Sequence, residues 1–409
     1  MAVLFLIIIY LAFISLGLPD SLLGAAWPAM QPAYGAPLET AGFLFMVIAG
    51  GTILSSLVSG TLLKRFGTGK VAFASCLMTA AALLGFSFSP SLFWLFLFAI
   101  PLGLGAGSID AGLNHYVAEN YKAHHMSWLH SFWGVGATLG PIILAFSLAG
   151  ERSWRNGYLI IACIQFALVV ILFLALPLWK KNEKSKPVPE EQTKEDALPA
   201  ENKKLKETKP LRVKGVKFAL ATFLFYCGAE ATMGLWGGSF LVEMKGLEVD
   251  TAARWVSFYF GGITVGRFIT GFVTFRVNNR TLIRMGQLIA LTGALLLVLP
   301  LPIGISLAGF ILVGLGLAPI FPCMLHETPA RFGKEHAQSI MGYQMAFAYT
   351  GSTFIPPLLG ALAAYTTLGI FPIFVTVLIA AMFLGAERLN ALMKNKKELQ
   401  EEKINSSVT

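Results

Sequence analysis

Four ionisable side chains lie inside long apolar runs of this 409-residue sequence, and they are the residues best placed to do chemistry: Asp20, Asp110, Glu230 and Arg267. A charge at the centre of a membrane costs about 2.5–3.5 kcal/mol on insertion scales, so each is a candidate functional residue. Burial disfavours the charged form of a carboxylate, and a second carboxylate nearby disfavours it further. A buried pair of acids is therefore suited to taking up and releasing a proton near neutral pH.

Asp20 ends the segment Gly17-Leu18-Pro19-Asp20 within an otherwise apolar run. Pro19 lacks a backbone N–H and Gly17 adds backbone freedom, so the segment predicts a kink or an unwound turn that faces a cavity. A structural hydrogen bond to a neighbouring helix is the alternative role for this carboxylate.

Asp110 is predicted to share one helix face with Gly103, Gly107 and Asn114, because the four residues are spaced by 4, 3 and 4 positions. The glycine end of this face allows another helix to approach closely, and the polar end can line an aqueous cavity. Helix packing alone also explains the glycines, and a structural hydrogen bond is the alternative for Asp110. The functional hypothesis is that Asp110 and Asp20 couple transport to protons.

Glu230 lies in a later apolar run, with Tyr226 one helical turn before it. We expect it to face the cavity as a substrate ligand, and an ion pair with Arg267 is the alternative. Arg267 is long enough to reach toward the membrane surface or to brace Glu327, so a structural or gating role is predicted for it.

Aromatic and amide side chains complete the predicted site. Aromatic rings stack on the apolar face of a sugar, while amides and carboxylates bind its hydroxyls. Contact with lipid or other helices is the alternative for the two tryptophans in this set, and a structural hydrogen bond is the alternative for its histidine. The predicted substrate-binding residues are Asp20, Asn114, His130, Trp133, Tyr226, Glu230, Trp236 and Gln344.

The elements that must position these residues are membrane helices. Hydrophobic residues make up 56% of the chain and charged residues 13%, against about 25% charged in an average soluble protein. More than half of the charges lie in 180–217 and 387–409, which leaves too few to cover the surface of a soluble fold. This composition excludes a cytosolic enzyme, a disordered protein and a nucleic-acid binder, and it indicates a polytopic, all-α membrane protein.

Twelve apolar segments are long enough to span a bilayer, and a linker rich in Lys, Glu and Pro separates the first six from the last six. The predicted domains are 1–179, a flexible linker at 180–214, a second half at 215–388 and a tail at 389–409. The predicted spans are 2–28, 39–63, 70–89, 91–117, 127–149, 157–179, 216–242, 252–275, 281–299, 303–325, 337–361 and 367–386.

The placement of positive charges predicts the orientation. If both termini face the cytoplasm, the outside loops hold only Arg152, Arg155, Lys245 and Arg254, and nearly all other Lys and Arg lie inside. Cytoplasmic loops carry the excess of Lys and Arg in membrane proteins. We therefore expect a multi-pass protein of the plasma (inner) membrane with both termini cytoplasmic.

The two halves are internal repeats. A constant offset of 211 residues aligns their glycines and one arginine: Gly50-Gly51 with Gly261-Gly262, Gly60 with Gly271, Arg65 with Arg276, and Gly103-Leu104-Gly105 with Gly314-Leu315-Gly316. Two six-helix halves in parallel repeat predict the major facilitator architecture, with a substrate site between the halves near the midplane.

These motifs carry a family resemblance. The chain resembles the major facilitator superfamily and, within it, the fucose:proton symporter family. The resemblance implies that Asp20 and Asp110 take part in sugar recognition and proton coupling, and that Arg65 and Arg276 belong to the gating loops. Lys64 stands where the superfamily loop signature has an aspartate, so this loop lacks the acid of the usual salt-bridge latch between helix ends. The motifs are Gly17–Asp20, Gly103–Gly107 with Asp110 and Asn114, Leu129-His130, Tyr226–Glu230 and Gly314–Pro322.

The sequence thus predicts a secondary active transporter, a proton-coupled monosaccharide symporter that works by alternating access as a monomer in the lipid bilayer. Alternatives are a proton-driven exporter of drugs or metabolites, sodium coupling in place of proton coupling, and a transport-inactive receptor or scaffold. No loop holds a nucleophile–base motif or a metal cluster, so neither enzyme activity nor a cofactor or metal is expected. The coupling ion is the only cofactor-like partner in this hypothesis.

Overall fold

The computed structural model describes residues 2–121, 123–149, 153–184, 210–274 and 276–408, and no strand occurs among them. The predicted all-α fold is confirmed. The helices are α1 (Ala2–Asp20), α2 (Leu22–Tyr34), α3 (Thr40–Phe66), α4 (Thr68–Phe88), α5 (Leu92–Asn120), α6 (Ala123–Leu148), α7 (Trp154–Lys184), α8 (Val216–Lys245), α9 (Val249–Val273), α10 (Asn279–Val298), α11 (Ile303–Leu317), α12 (Ile320–Phe332), α13 (Lys334–Tyr365) and α14 (Phe371–Val408).

Eleven segments of the described chain are long and apolar enough to cross a membrane. The helix α13 is less apolar, but with 32 residues it is long enough to be the twelfth span. Two predicted spans are each built from two helices, α1 with α2 and α11 with α12. The largest shortfalls of the predicted bounds are at three spans: the first span reaches Tyr34, the tenth reaches Phe332, and α14 continues to Val408 through the predicted tail. Most of the predicted linker, 185–209, lies outside the described residues.

The first span breaks at Ser21, directly after Asp20, where the sequence predicts a kink. Pro19 has no N–H to donate to the carbonyl of Ser15, four residues earlier, and within a membrane that carbonyl must find another donor. Gln165 of α7 supplies it: its Nε2 donates to the Ser15 carbonyl, and the Ser15 hydroxyl donates to Gln165 Oε1 at 2.9 Å. The kink is thus stabilised from a neighbouring helix.

The internal repeat extends to packing contacts. An added Cβ at Gly103 would lie 2.1 Å from the Ile48 carbonyl oxygen, and one at Gly314 would lie 2.1 Å from that of Tyr259. Both pairs are related by the same 211-residue offset. The two halves therefore use glycine in the same way, to let their second and fourth spans touch backbone to backbone.

The two halves meet on the side of the molecule away from the linker, here called the far side; the linker side is where α7 ends and α8 begins. Gly24 of α2 packs against Gly234 of α8, and Gly42 of α3 packs against Pro357 of α13. These four residues lie in the far halves of their membrane spans. Close contacts of this kind leave no room for water between the helices at that end.

The buried apolar clusters show the same asymmetry. One large cluster includes far-side residues of both halves, such as Trp27 and Trp236. Two smaller clusters lie on the linker side, one built only from the first half around Trp179 and one only from the second half around Phe332. The halves share a core on the far side and have separate cores on the linker side, so the space between them opens toward the linker.

Candidate functional site

Four side chains at mid-membrane contact one another in sequence and connect the two halves. We call them the central cluster: Asp20, Trp133, Arg267 and Glu230. Trp133 Nε1 donates to Asp20 Oδ2 at 2.7 Å. The Arg267 guanidinium carbon lies 5.2 Å from the centroid of the Trp133 ring, within the range of a cation–π interaction. Arg267 Nη2 is 3.4 Å from Glu230 Oε1. Asp20 and Trp133 belong to the first half, and Arg267 and Glu230 to the second.

Glycines position the first-half members. Added Cβ atoms at Gly17 and Gly136 would lie 2.0 Å from the Trp133 carbonyl oxygen and 1.9 Å from the Ile14 carbonyl oxygen. The helices α1 and α6 are therefore in backbone contact, which brings the Trp133 indole to Asp20. Asp20 itself is exposed, although it lies at mid-span. Because Gly24 seals the far side one turn later, the space that exposes Asp20 opens toward the linker side.

The second-half members lie in a more enclosed setting. The side chains of Arg267 and Glu230 are 15% and 17% exposed. Tyr259 donates its hydroxyl to the Glu230 carbonyl oxygen at 3.0 Å, which fixes α8 against α9. Tyr226 is buried beside the ion pair.

The ion pair decides between two roles that the sequence left open for Arg267. It pairs with Glu230 and not with Glu327. Glu327 is instead bonded by Arg280, at 3.4 Å, and by Arg331, at 3.2 Å. Glu230 therefore forms an ion pair at mid-membrane. This ion pair is the alternative that the sequence analysis gave for Glu230.

Asp110 is held within its own helix. Asn114 Nδ2 donates to Asp110 Oδ1 at 2.9 Å and to the Asp110 carbonyl oxygen at 3.0 Å. Asp110 and Asp20 lie close enough to interact electrostatically. At the glycine end of this face, a Cβ at Gly107 would lie 2.2 Å from the Thr52 carbonyl oxygen, so the predicted close approach of a second helix occurs, with α3 as that helix.

Two predicted ligands lie apart from the central cluster. Trp236 is fully buried and donates Nε1 to the Pro356 carbonyl oxygen at 2.7 Å. Gln344 is also buried, and its Oε1 accepts from the Thr328 hydroxyl at 2.9 Å. Both side chains are therefore committed to contacts within the second half and present no surface to a ligand in this state.

Of the remaining predicted residues, His130 borders the central cluster, and Arg65 and Arg276 lie away from it on the linker side. His130 is half-buried, in edge contact with the Phe13 ring at 5.9 Å, and it lies within electrostatic range of Arg267. Arg65 and Arg276 are exposed on the linker side. The Arg65 guanidinium lies 5.4 Å from the centroid of the Phe66 ring. These positions are compatible with a gating role for the two arginines, which stays a prediction.

Sequence reasoning missed three contributors. Thr138 and Thr264 join the halves through a hydroxyl–hydroxyl hydrogen bond of 3.2 Å next to the central cluster. Gln165 supports the kink beside Asp20. An isolated glutamine in an apolar run was a signal that could have identified Gln165, because a buried amide needs a partner. The threonines gave no comparable signal, because a threonine hydroxyl can donate to a backbone carbonyl of its own helix and needs no partner from another helix.

The described part of the chain contains no group of three or more His, Cys, Asp or Glu side chains placed to hold a metal ion. The arrangement instead offers two carboxylates whose bonded partners are neutral, Asp20 and Asp110, beside a compensated ion pair. Carboxylates of this kind can accept a proton or bind a hydroxyl, and the indole adds an aromatic surface.

A family model described as Major Facilitator Superfamily matches residues 9–356. Among curated proteins, the chain is 25% identical to "Bypass of stop codon protein 6" of Saccharomyces cerevisiae, over 90% of this chain and 78% of that protein. It is also 25% identical to "Glucose/mannose transporter GlcP" of Bacillus subtilis, over 77% of both chains. "Sodium-dependent glucose transporter 1A" of Mus musculus is 23% identical, over 91% of this chain and 95% of that protein.

A solved structure has the same fold. The crystal structure of a D-xylose-proton symporter superposes with a TM-score of 0.72 at 12% identity, covering 94% of this chain and 96% of that one. The twelve-span arrangement with two six-helix halves is therefore that of a known transporter fold.

Proposed function

Because the chain belongs to the Major Facilitator Superfamily, we propose that it is a secondary active transporter that carries a neutral monosaccharide together with protons by alternating access. The family and the fold indicate a transporter rather than an enzyme. The observation that carries the finer proposal is the central cluster, in which an exposed carboxylate and an indole of one half meet an ion pair of the other at mid-membrane.

The sugar proposal rests on the chemistry of this cluster. The Asp20 carboxylate and the Arg267–Glu230 pair offer hydrogen-bond acceptors and donors to hydroxyl groups, and Trp133 offers an aromatic edge and face. Two of the relatives, a glucose/mannose transporter and a sodium-dependent glucose transporter, support the same substrate class. A doubly charged anion is disfavoured, because Arg267 is already neutralised by Glu230.

The proton proposal rests on Asp110. Its carboxylate bonds to a neutral amide within its own helix, and it interacts with Asp20 through space. A proton on one acid lowers the repulsion felt by the other, so loading of Asp110 and occupancy at Asp20 are coupled. Alternating access then follows from breaking the far-side contacts while linker-side contacts form.

The proposed location is the plasma (inner) membrane, with the linker side facing the cytoplasm. The linker side holds the concentrated Lys and Arg of the predicted inside loops. Under this orientation the structure is open to the cytoplasm and closed to the outside. The protein is proposed to act as a monomer, since each copy contains both halves.

The test is substrate-induced proton flux in proteoliposomes, measured across hexoses, deoxyhexoses and N-acetylhexosamines in sodium-free buffer. We expect alkalinisation of the external medium with one sugar of the panel, and loss of this signal in Asp110→Asn. If sugar uptake requires sodium, the coupling ion is sodium and not the proton. Silence across the panel, with proton release on adding a lipophilic cation, would move the protein to the exporter class.

A further inference from the structure

One tyrosine of the second half, Tyr349 on α13, lies beside the acid of the first half that is proposed to couple transport to protons. It is half-buried, about two helical turns before Pro357, which packs against Gly42 of α3 on the far side. Its hydroxyl is hydrogen-bonded to that of Ser56 on α3, and it lies within electrostatic range of the Asp110 carboxylate. A hydroxyl of the second half therefore reaches into the first half next to Asp110.

The Ser56 hydroxyl packs directly on the backbone of α5, one turn before Asp110. Its Oγ donates to the Gly107 carbonyl oxygen at 3.2 Å, and an added Cβ at Gly107 would lie 2.9 Å from that Oγ. Gly107 and Asp110 are three residues apart and share one helix face. Because Ser56 donates its hydrogen to Gly107, it accepts from Tyr349, so the tyrosine hydroxyl is a donor at this place.

The internal repeat shows that this long reach belongs to the second half. At the 211-residue offset, Tyr349 corresponds to Thr138 of α6, which also bonds across the halves, to Thr264 at 3.2 Å. The Thr138 methyl group lies 3.7 Å from an added Cβ at Gly261. The counterpart of Gly261 is Gly50, where an added Cβ would meet nothing within 4 Å. The second half thus has a longer side chain at this position, and its hydroxyl extends beyond the glycine toward the proposed proton site.

The distance between Tyr349 and Asp110 depends on how the halves are arranged, because the two residues belong to different halves. A hydroxyl that points its hydrogen at a carboxylate favours the charged form, and this effect weakens as the distance grows. Moving α13 away from α5 therefore makes Asp110 easier to protonate. The other titratable groups near the pair are Asp20 on α1, within range of Asp110, and Cys227 on α8, within range of Tyr349.

We propose that Tyr349 is a positioning residue for proton coupling: its hydroxyl stabilises the Asp110 carboxylate while the protein is open to the linker side, and it no longer does so once α13 moves away from α5. This inference rests on the function proposed above, since it concerns the coupling step of that transporter. Asp110 then releases its proton toward the linker side and takes one up from the far side, which is the direction that uptake by symport needs.

Infrared titration of the purified full-length protein tests this role without any sugar. The C=O stretch of protonated carboxyl groups is followed against pH, and the band that disappears in Asp110→Asn reports on Asp110. Tyr349→Phe keeps the ring and removes the hydroxyl. We expect this variant to reach half-titration of that band at about threefold lower proton concentration than wild type, because a donor to the charged carboxylate is lost. Tyr343→Phe removes the hydroxyl of an exposed tyrosine on the same helix and should leave the titration unchanged.

Transport assays on the same variants separate this inference from the function on which it rests. If wild type shows sugar-induced proton flux but Tyr349→Phe titrates like wild type, the inference fails and the proposed function stands. If the titration shifts but no sugar of the panel moves protons, the proposed function fails and the link between Tyr349 and Asp110 stands. An equal shift in Tyr343→Phe, or a lower melting temperature of Tyr349→Phe without a shift, would assign Tyr349 a structural role and overturn the proposal.

Discussion

The two halves of this transporter share a backbone plan but surround their mid-membrane acids in opposite ways. In the first half, Asp20 is bonded to the neutral Trp133 and Asp110 to the neutral Asn114, and among the described residues no cation forms an ion pair with either acid. In the second half, Glu230 is paired with Arg267. A compensated acid holds its charge, whereas an uncompensated one at mid-membrane gains from protonation.

In the mechanism we propose, this difference gives the two repeats different roles. The first half holds the acids whose charge changes during a cycle, and the second half holds an ion pair whose charges stay fixed. Trp133 lies between them, since it bonds to Asp20 and stacks on Arg267. The comparison therefore predicts that removing a single charge costs little stability in the first half and much stability in the second.

Arg267→Gln should have the largest effect. It leaves Glu230 as an unpaired charge in the membrane, and breaking a buried ion pair from one side costs about 3–5 kcal/mol. We expect a marked fall in thermal stability and a loss of transport of roughly a hundredfold, both measured on purified protein and in proteoliposomes.

The matched control is Glu230→Gln/Arg267→Gln, which removes both charges together. Its stability should return close to that of wild type, because the orphan charge is gone, while transport stays low. If the single and double variants melt at the same temperature, the pair is not the compensated unit that the comparison requires.

Asp110→Asn should have the next largest effect, on coupling alone. One proton moved through 100 mV supplies about 2.3 kcal/mol, enough for about fiftyfold accumulation of substrate. The variant is expected to lose this accumulation and to equilibrate sugar at a ratio of about one, while exchange between preloaded vesicles continues within about threefold of wild type. Melting temperature should not fall, since Asn can still bond to Asn114. Intact accumulation in the variant would remove Asp110 from the coupling step.

Much of this arrangement could be predicted because it follows from local chemistry. Pro19 forces a break beside Asp20, and the offset of 211 residues places the glycines of both halves in equivalent contacts. The polar end of the Asp110 face was also predictable, since a helix keeps residues four apart on one side.

What could not be predicted depends on which face of each helix turns inward. A membrane helix is apolar all round, so its sequence carries little information about rotation. Trp236 and Gln344 were expected to face the ligand, but they are buried in contacts of the second half. Arg267 was within reach of two acids by sequence, and only the packing of α9 on α8 decides for Glu230. The contact of Asp20 with Trp133 likewise needs the close approach at Gly17.

Asp20→Asn should have a moderate effect on affinity. The amide keeps an oxygen that can accept from Trp133 Nε1, but a hydrogen bond to a neutral acceptor is weaker than one to a carboxylate by about 1 kcal/mol. We expect sugar binding to weaken about fivefold, measured by equilibrium binding at a pH where the wild type is saturable. An unchanged affinity would place Asp20 outside the sugar site. A stability loss as large as that of Arg267→Gln would show that the first half also needs its charge.

Trp133→Phe should have the smallest effect, and it separates the two contacts of the indole. Phenylalanine keeps a ring for the Arg267 guanidinium but loses the N–H that Asp20 accepts. Loss of one such hydrogen bond, partly replaced by water in an exposed site, predicts about a threefold rise in KM with kcat nearly unchanged. Trp133→Leu removes the ring as well and should also lower kcat, because the link between the halves is then lost. If both substitutions have the same effect on KM and kcat, the contact between Trp133 and Arg267 does not couple Asp20 of the first half to the ion pair of the second half.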